Sequence, residues 1–269
     1  ALDSGINWVD TAAAYGLGHG EEVVGRAVEG IRKEVFIATK CGLVWNEKRR
    51  VRNNIQPDSI LKEVEDSLRR LNTDYIDLYQ IHWPDGQTPV EKSWEAMVKL
   101  KDQGKVRFIG VSNFNKSMLE KCEKIFHVNS LQPPYSLLNR EVEEEILPWC
   151  KVHGVGVVAY SPMQSGLLTD SFDISRVAPD DWRHKSSYFQ EPDLSKNLEF
   201  AKRLGEIAAR YDKTVAQLAI AWVLNNSAVS SAIVGARKPE QVDEIVGGAA
   251  WSISREDLDL IENLSTEIL

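Results

Sequence analysis

The chain has 269 residues, 43% of them hydrophobic, and a net charge of −8 at pH 7. This acidic balance argues against a surface for nucleic acid or anionic membranes, and the apolar runs are shorter than the ~20 residues that span a bilayer. The three cysteines, Cys41, Cys122 and Cys150, show neither CxxC spacing nor an even count. They predict free thiols and a cytoplasmic location, because disulfides are rare in reducing compartments.

Strand-like and helix-like runs alternate along the chain, beginning with a strand at 6–11. Further strands are predicted at 35–41, 75–82, 106–113, 130–136, 154–162 and 231–236. Helices are predicted between them at 21–30, 57–71, 90–104, 116–126, 141–153 and 214–226. Several strands are apolar at successive positions, as in a parallel sheet that helices cover on both faces. The alternation therefore predicts an α/β fold of βα units in a single domain, residues 1–269.

Local signals mark two of these helices. The stretch after Pro57 repeats apolar residues at helical spacing, and a proline is favoured in the first turn of a helix. Thr214 and Gln217 have the spacing of a capping box ahead of an apolar run. Both signals place a helix start at a defined residue.

The predicted sheet has two possible topologies. A (β/α)8 TIM barrel has eight strands, whereas seven are recognised in this chain. Residues 1–5 look like the last turn of a helix, so the expectation is a barrel whose first strand and most of its first helix are missing from the sequence. The alternative is an open, doubly wound sheet, but Gly16, Gly18 and Gly20 lack the GxGxxG spacing of a dinucleotide fingerprint. These glycines are expected to shape the loop before the next helix, with Gly20 near its N-cap.

Polar residues end three successive strands of the predicted barrel. Asp10, Lys40 and His82 stand at these ends, and Tyr15 follows the first of them by five residues. Singly, each has an ordinary structural role, such as capping a loop, reaching solvent or packing. Together they would meet, because the carboxyl ends of barrel strands share one face. A lysine beside a phenol lowers the pKa of the phenol, and an aspartate keeps that lysine charged. The four residues, here named the relay, therefore predict a tyrosine that exchanges a proton near neutral pH.

Five stretches of the chain resemble, in the same order, signatures of the aldo-keto reductase family: GINWVDTAAAYGLGHGEEVVGRA, VFIATK, LNTDYIDLYQIHWPD, GKVRFIGVSNF and AYSPMQSGLLT. The resemblance covers nearly the whole chain and is strongest to bacterial reductases that carry QPPYSLLNR and GARKPEQ. It implies an eight-stranded βα barrel that reduces carbonyls with a nicotinamide cofactor, usually NADPH, and without a metal. The five histidines also lack the HxH and HExxH spacings of metal sites.

The resemblance implies a role for each residue that matches a family motif. Tyr15 matches the proton donor, Lys40 and Asp10 tune it, and His82 orients the substrate carbonyl. The residues matched to the cofactor are Ser112, Asn113 and Gln132 for the nicotinamide carboxamide, Tyr160 for its ring, Ser161, Pro162, Met163, Ser165, Gly166 and Leu167 for the pyrophosphate, and Gly235, Ala236, Arg237, Lys238, Gln241 and Glu244 for the adenosine 2′-phosphate region.

Two features bear on the choice of cofactor. Arg237 and Lys238 carry positive charge for a 2′-phosphate, which favours NADPH over NADH, although such a pair also occurs at solvated helix starts. Ile245 stands where many relatives have an asparagine that touches adenine, so looser adenine binding is expected. The cofactor implied by the resemblance is therefore NADPH/NADP+.

The substrate expected is a small-molecule carbonyl or alcohol, which the sequence does not specify further. Trp45 and Trp83 are candidate walls of its pocket, and the insert 163–197 is a candidate cover. A solvated loop, rather than a phosphate site, is expected for the basic cluster Lys48, Arg49, Arg50 and Arg52. The alternative function is a cofactor-binding regulatory subunit with slow turnover. The oligomeric state is left open, with a monomer favoured.

Overall fold

The computed structural model describes all 269 residues, which group into two compact units. The first unit comprises residues 1–133 and 143–158, and the second comprises residues 134–142 and 159–269. The expectation of a single domain stays a prediction.

A parallel sheet organises the first unit. Its strands in this unit are β1 (Trp8–Asp10), β2 (Phe36–Cys41), β5 (Ile76–Ile81), β6 (Val106–Ser112), β7 (Ser130–Gln132) and β8 (Gly156–Tyr160). The last two residues of β8 belong to the second unit. Two short strands between β2 and β5, namely β3 (Leu43–Trp45) and β4 (Val51–Asn53), form a separate antiparallel hairpin. Parallel pairing runs from β1 to β2, β5, β6, β7 and β8 in turn. The register places Lys40 beside Gln80 and Ser112 beside Gln132, so polar residues near the strand ends are neighbours.

Five helices accompany these strands. They are α1 (His19–Ala27), α2 (Pro57–Leu71), α3 (Val90–Asp102), α4 (Lys116–Glu123) and α5 (Ile146–His153). In α2, Pro57 occupies the first turn and the chain leaves the helix at Asn72, whose φ is 51°. Ile60, Val64 and Leu71 of this helix are completely buried. Of the apolar repeat read from the sequence, Val64 and Leu71 therefore lie on the buried face, whereas Leu61 and Leu68 are half-buried.

The second unit is mainly helical. It contains α6 (Asp193–Ala208), α7 (Val215–Asn225), β9 (Val229–Ile233), α8 (Glu240–Val246) and α9 (Arg255–Ile268). The predicted capping box is present at the start of α7, where the Thr214 hydroxyl accepts from the Gln217 N–H and the Gln217 amide oxygen accepts from the Thr214 N–H. No helix of the chain is long and apolar enough to cross a membrane.

The strand order decides between the two topologies expected from the sequence. Hydrogen-bonded neighbours follow the order β1-β2-β5-β6-β7-β8-β9, which is the order along the chain. A doubly wound sheet reverses its strand order at a switch point, and no reversal occurs here. The α/β class built from βα units is confirmed, and the open, doubly wound alternative is wrong.

Several predicted boundaries shift for local reasons. α5 begins at Ile146 rather than 141, because Pro148 lacks an N–H and its ring excludes a longer helix before it. β7 ends at Gln132, ahead of two prolines that cannot donate to a sheet. α1 begins at His19 with Gly18, not Gly20, as its N-cap. The hairpin β3–β4 and the helices α6, α8 and α9 were not predicted.

Candidate active site

The pairing of β1 with β2 brings Asp10 and Lys40 together. The Lys40 Nζ lies 2.5 Å from Oδ1 of Asp10 and also donates to the carbonyl oxygen of Thr11, 2.9 Å away. The lysine side chain is completely buried and the aspartate nearly so. A buried ammonium needs an opposite charge and hydrogen-bond acceptors, and these two contacts supply both.

Tyr15 and His82 lie around this ammonium. Tyr15 sits in the turn after β1, and the Lys40 Nζ is 5.2 Å from the centroid of its ring. The His82 ring meets the Tyr15 ring edge-on, with 5.9 Å between the centroids. Tyr15 is 46% exposed, so a small molecule can reach it. The four relay residues, which the sequence places on three successive βα units, therefore come together.

Burial lowers the pKa of both nitrogen bases in the relay, Lys40 and His82. It lowers the pKa of Lys40, while the charge and hydrogen bond of Asp10 and the charge of Glu21 act in the opposite direction. Burial, followed by the positive charge of Lys40, also lowers the pKa of His82 to about 4. The imidazole is therefore neutral near pH 7 and cannot serve as a cationic acid there.

The three residues matched to the nicotinamide carboxamide lie at the ends of β6 and β7. Ser112 ends β6, Asn113 follows it, and Gln132 ends β7. The Ser112 hydroxyl donates to the carbonyl oxygen of Gln132 at 2.7 Å. The side-chain amide of Asn113 donates to the Ser112 hydroxyl and to the carbonyl oxygen of His82, each at 3.0 Å. These contacts connect the predicted carboxamide-binding residues to the end of β5, where His82 stands.

Gln132 also contacts the relay directly. Its Nε2 donates to Oδ2 of Asp10 at 2.8 Å and lies 3.3 Å from Oε1 of Gln80. Both oxygens of Asp10 therefore accept hydrogen bonds, one from Lys40 and one from Gln132. Gln80 was missed from the sequence, although a polar residue one position before the end of a buried strand was a usable signal.

In the second unit, Tyr160 ends β8 and leads into a tight turn at residues 161–167, here named the strap. Its predicted members Pro162 and Leu167 are buried, and Met163 and Gly166 are half-buried. Three non-glycine residues of the strap have left-handed backbone conformations, namely Ser161 (φ 57°), Gln164 (φ 43°) and Ser165 (φ 55°). The guanidinium of Arg183, which lies later in the insert 163–197, donates to the carbonyl oxygen of Ser165 in the strap at 3.3 Å.

The residues matched to the adenosine end lie at the start of α8 and just before it. Those ahead of the helix are exposed: Gly235, Ala236, Arg237 and Lys238. The side-chain oxygen of Gln241 accepts from the backbone N–H groups of Arg237 and Lys238, at 2.7 and 3.1 Å. Glu244 instead contacts α7, because its carbonyl oxygen accepts from Nε2 of Gln217 at 3.0 Å.

The two predicted pocket tryptophans occupy different positions. Trp45 is half-buried in the hairpin β3–β4, where the Arg70 guanidinium lies 5.8 Å from its ring centroid. Trp83 directly follows His82 and is exposed. The hairpin also carries the basic cluster, whose members are all exposed: Lys48, Arg49, Arg50 and Arg52. The role of the tryptophans as pocket walls stays a prediction.

Comparison with known proteins identifies close relatives. A sequence model described as "Aldo/keto reductase family" matches residues 1–266. The aldo-keto reductase YhdN of Bacillus subtilis (strain 168) is 40% identical over 261 residues, which cover 96% of this chain and 78% of that protein. The NADH-specific methylglyoxal reductase of Escherichia coli (strain K12) is 35% identical over 274 residues, which cover 97% and 84% of the two chains.

Solved structures agree with the sequence relatives. The glycerol dehydrogenase AKR11B4 from Gluconobacter oxydans has a TM-score of 0.94 at 39% identity, covering 100% of this chain and 83% of its own. An aldo-keto reductase from Klebsiella pneumoniae, in complex with NADPH, has a TM-score of 0.77 at 31% identity, covering 98% and 81%. The expected fold class, the (β/α)8 TIM barrel, is thus confirmed, with seven parallel strands in this chain. The chain belongs to the aldo/keto reductase family and is an oxidoreductase.

Proposed function

We propose that this protein is an NADPH-dependent aldo-keto reductase that transfers hydride reversibly between the cofactor and an aldehyde or ketone. The observation that carries the proposal is the buried Lys40 ammonium, which contacts the carboxylate of Asp10 and lies 5.2 Å from the ring centroid of Tyr15. A positive charge at this distance favours the phenolate, and the phenol consequently becomes a stronger acid.

The residues of each unit are chemically suited to parts of a nicotinamide nucleotide. In the first unit, the Ser112 hydroxyl and the Asn113 and Gln132 amides offer both donors and acceptors, as a carboxamide partner requires. In the second unit, the left-handed residues of the strap represent local strain of the kind that occurs at ligand clamps. When bound, the nicotinamide supplies the hydride in reduction and accepts it in oxidation.

The protein's own groups handle the proton. As negative charge develops on the substrate oxygen, the Tyr15 hydroxyl donates its proton, and Lys40 stabilises the phenolate that remains. Asp10 keeps Lys40 charged, and the neutral imidazole of His82 orients the carbonyl by a hydrogen bond. A positioned acid of this kind typically contributes about 10²–10⁴-fold to the rate.

The choice of NADPH rests on Arg237 and Lys238. One relative is named NADH-specific and another was solved with NADPH, so family membership alone is compatible with both cofactors. Two exposed cations side by side favour the cofactor that carries the extra phosphate, because guanidinium and ammonium groups bind phosphate well.

A cytoplasmic location is proposed on the chemistry of the cysteines. Cys41, Cys122 and Cys150 are all free and buried. Unpaired thiols are typical of proteins from reducing compartments.

The proposal is tested by following the oxidation of NADPH and of NADH by absorbance, with a panel of aryl aldehydes, sugars and diketones. Turnover with NADPH and weaker turnover with NADH are expected. Tight nucleotide binding without turnover on any carbonyl would contradict the reductase and favour the regulatory subunit, which pull-down of a stable partner would then support.

A further inference from the structure

Besides Asp10, a second buried carboxylate, that of Glu21, contacts β2. Glu21 of α1 is completely buried. Its Oε1 accepts a hydrogen bond from the Thr39 hydroxyl at 2.6 Å, and its Oε2 accepts one from Nε of Arg70 in α2, also at 2.6 Å. Both carboxylate oxygens are therefore paired, and this one side chain ties together α1, β2 and α2.

The contact falls on the residue next to the relay lysine. Thr39 immediately precedes Lys40, and successive side chains of a strand point to opposite faces. Lys40 faces Asp10, so Thr39 faces the helices. The helices themselves are closely packed there, since a Cβ added to Gly25 of α1 would come within 2.8 Å of the Arg70 carbonyl oxygen. Glu21 consequently holds β2 from the side opposite the relay.

Glu21 also acts on Lys40 through its charge. The charged and titratable groups around the ammonium are Asp10, Glu21, Tyr15 and His82. Those around Glu21 are Arg70, Glu63, Lys40, Cys41 and Tyr79. Burial lowers the pKa of Lys40, and the negative charges of Asp10 and Glu21 both counter that effect.

We propose that Glu21 is a positioning residue of the relay, which fixes β2 through Thr39 and so holds Lys40 in place beside Asp10. The inference rests on the proposed function, because it assigns to Glu21 a share in making Tyr15 an acid. A residue that only stabilised the fold would leave the ionisation of Tyr15 unchanged.

The test compares Glu21→Gln with Glu22→Gln. The two variants lose the same charge at neighbouring positions, but the Glu22 side chain is about half exposed and its recorded ion pair is a surface contact with His19. The ionisation of Tyr15 is followed by phenolate absorbance, as the difference between each protein and the same protein carrying Tyr15→Phe. Lys40→Met supplies the reference for complete loss of the ammonium. This titration needs no turnover, so it is independent of whether the reductase proposal holds.

In Glu21→Gln, the Tyr15 titration is expected to move away from that of the wild type by about 0.5–1 pH unit, because both the position of Lys40 and the charges around it change. Glu22→Gln should titrate like the wild type. In turnover assays, kcat of Glu21→Gln should fall by about tenfold with little change in cofactor affinity. A folded Glu21→Gln protein with the wild-type Tyr15 titration would overturn the inference. Absence of turnover in the wild type would instead count against the proposed function.

Thr39→Val is the second variant, for the case that Glu21→Gln does not fold. It leaves one buried oxygen of Glu21 without its donor and therefore weakens the hold on β2, while the charge of Glu21 is kept. The Tyr15 titration should move in the Lys40→Met direction, and Thr39→Ser, which keeps the hydroxyl, should restore it. Identical titrations for Thr39→Val and Thr39→Ser would again overturn the inference.

Discussion

Within the relay, contact with solvent separates the side chain proposed to donate a proton from those that support it. Lys40 is completely buried and is held by Asp10 and the Thr11 carbonyl. Tyr15, by contrast, is about half exposed. His82 is neutral near pH 7 because burial lowers its pKa to about 4. Tyr15 alone combines a dissociable proton, a neighbouring cation and an open path to a substrate.

The protonation state of His82 is directly measurable. Because its folded-state pKa of about 4 lies below the ordinary value of 6.5, the imidazole should stay neutral as the pH falls through the range where free histidine takes up its proton. Nitrogen-15 NMR of the imidazoles, with His82→Gln to assign the signal, should report a neutral ring down to roughly pH 5. A His82 signal that titrates near its ordinary pKa would contradict this expectation.

Arg237 tests the choice of cofactor at a single side chain. Arg237→Ala should raise the KM for NADPH by about tenfold or more, because a charge-assisted hydrogen bond to the 2′-phosphate is lost. The KM for NADH should stay near its wild-type value. Arg255→Ala, which removes an exposed arginine at the start of α9, serves as the control. An equal change in both KM values would show that Arg237 does not bind the 2′-phosphate, and the preference for NADPH over NADH would then need another cause.

Among the elements, α7 begins with the clearest local signal in the sequence, a capping box, and the contribution of this cap to stability can be measured. The hydroxyl of Thr214 and the amide of Gln217 form the reciprocal capping box at its start, and Nε2 of Gln217 also donates to the carbonyl oxygen of Glu244 in α8. A single pair of side chains therefore caps one helix and contacts the next.

Thr214→Ala should lower the free energy of unfolding by about 1 kcal/mol, because the Gln217 N–H loses its acceptor. Urea unfolding measures the change. Thr266→Ala, on the exposed surface of α9, removes a hydroxyl that bonds only within its own helix and should change stability little. Equal effects of the two substitutions would argue against a capping contribution.

The elements also differ in how far the sequence predicts them. The βα alternation, α2 and the α7 cap follow from local patterns, and so do the strand ends that carry Asp10 and Lys40. α6 was missed although Leu194, Phe200 and Leu204 lie on its buried face, because its first turns were assigned to the insert. The hairpin β3–β4 has no such pattern, since all three residues of β4 are exposed.

The parts of the site that sequence patterns do not predict depend on contacts between residues far apart in the chain. The hydrogen bond from Gln132 to Asp10 joins residues 122 positions apart, and that from Thr39 to Glu21 joins a strand to a helix. Residue types and spacing indicate which side chains have useful chemistry. Which of them meet depends on strand register and on packing, and local sequence patterns do not predict either.

At the scale of the whole molecule, buried acids couple stability to pH. Glu63 of α2 accepts hydrogen bonds from the Gly42 N–H and the Ser59 hydroxyl, both at 2.9 Å. Burial raises its pKa from 4.5 to about 7, although these hydrogen bonds and the charge of Arg70 lower it. The folded protein therefore retains a proton that the unfolded chain releases, and the stability from this group is present at low pH and is lost as the pH rises through about 7.

Glu63→Gln should remove this part of the pH dependence. Relative to the variant, the wild type should lose roughly 2 kcal/mol of unfolding free energy between about pH 5.5 and 8, as measured by urea unfolding at each pH. Glu65→Gln, on the exposed side of the same helix, should keep the wild-type slope. If Glu63→Gln also kept that slope, Glu63 would not be the group that titrates.

The account as a whole depends on the proton from Tyr15. The most direct measurement is the turnover of Tyr15→Phe at saturating NADPH on the best carbonyl of the panel, beside the wild type and a Tyr75→Phe control that also loses one hydroxyl. We expect Tyr15→Phe to bind NADPH normally and to lose at least about 100-fold in kcat, while Tyr75→Phe retains its activity. A Tyr15→Phe protein that turned over at the wild-type rate would contradict the relay and the mechanism built on it.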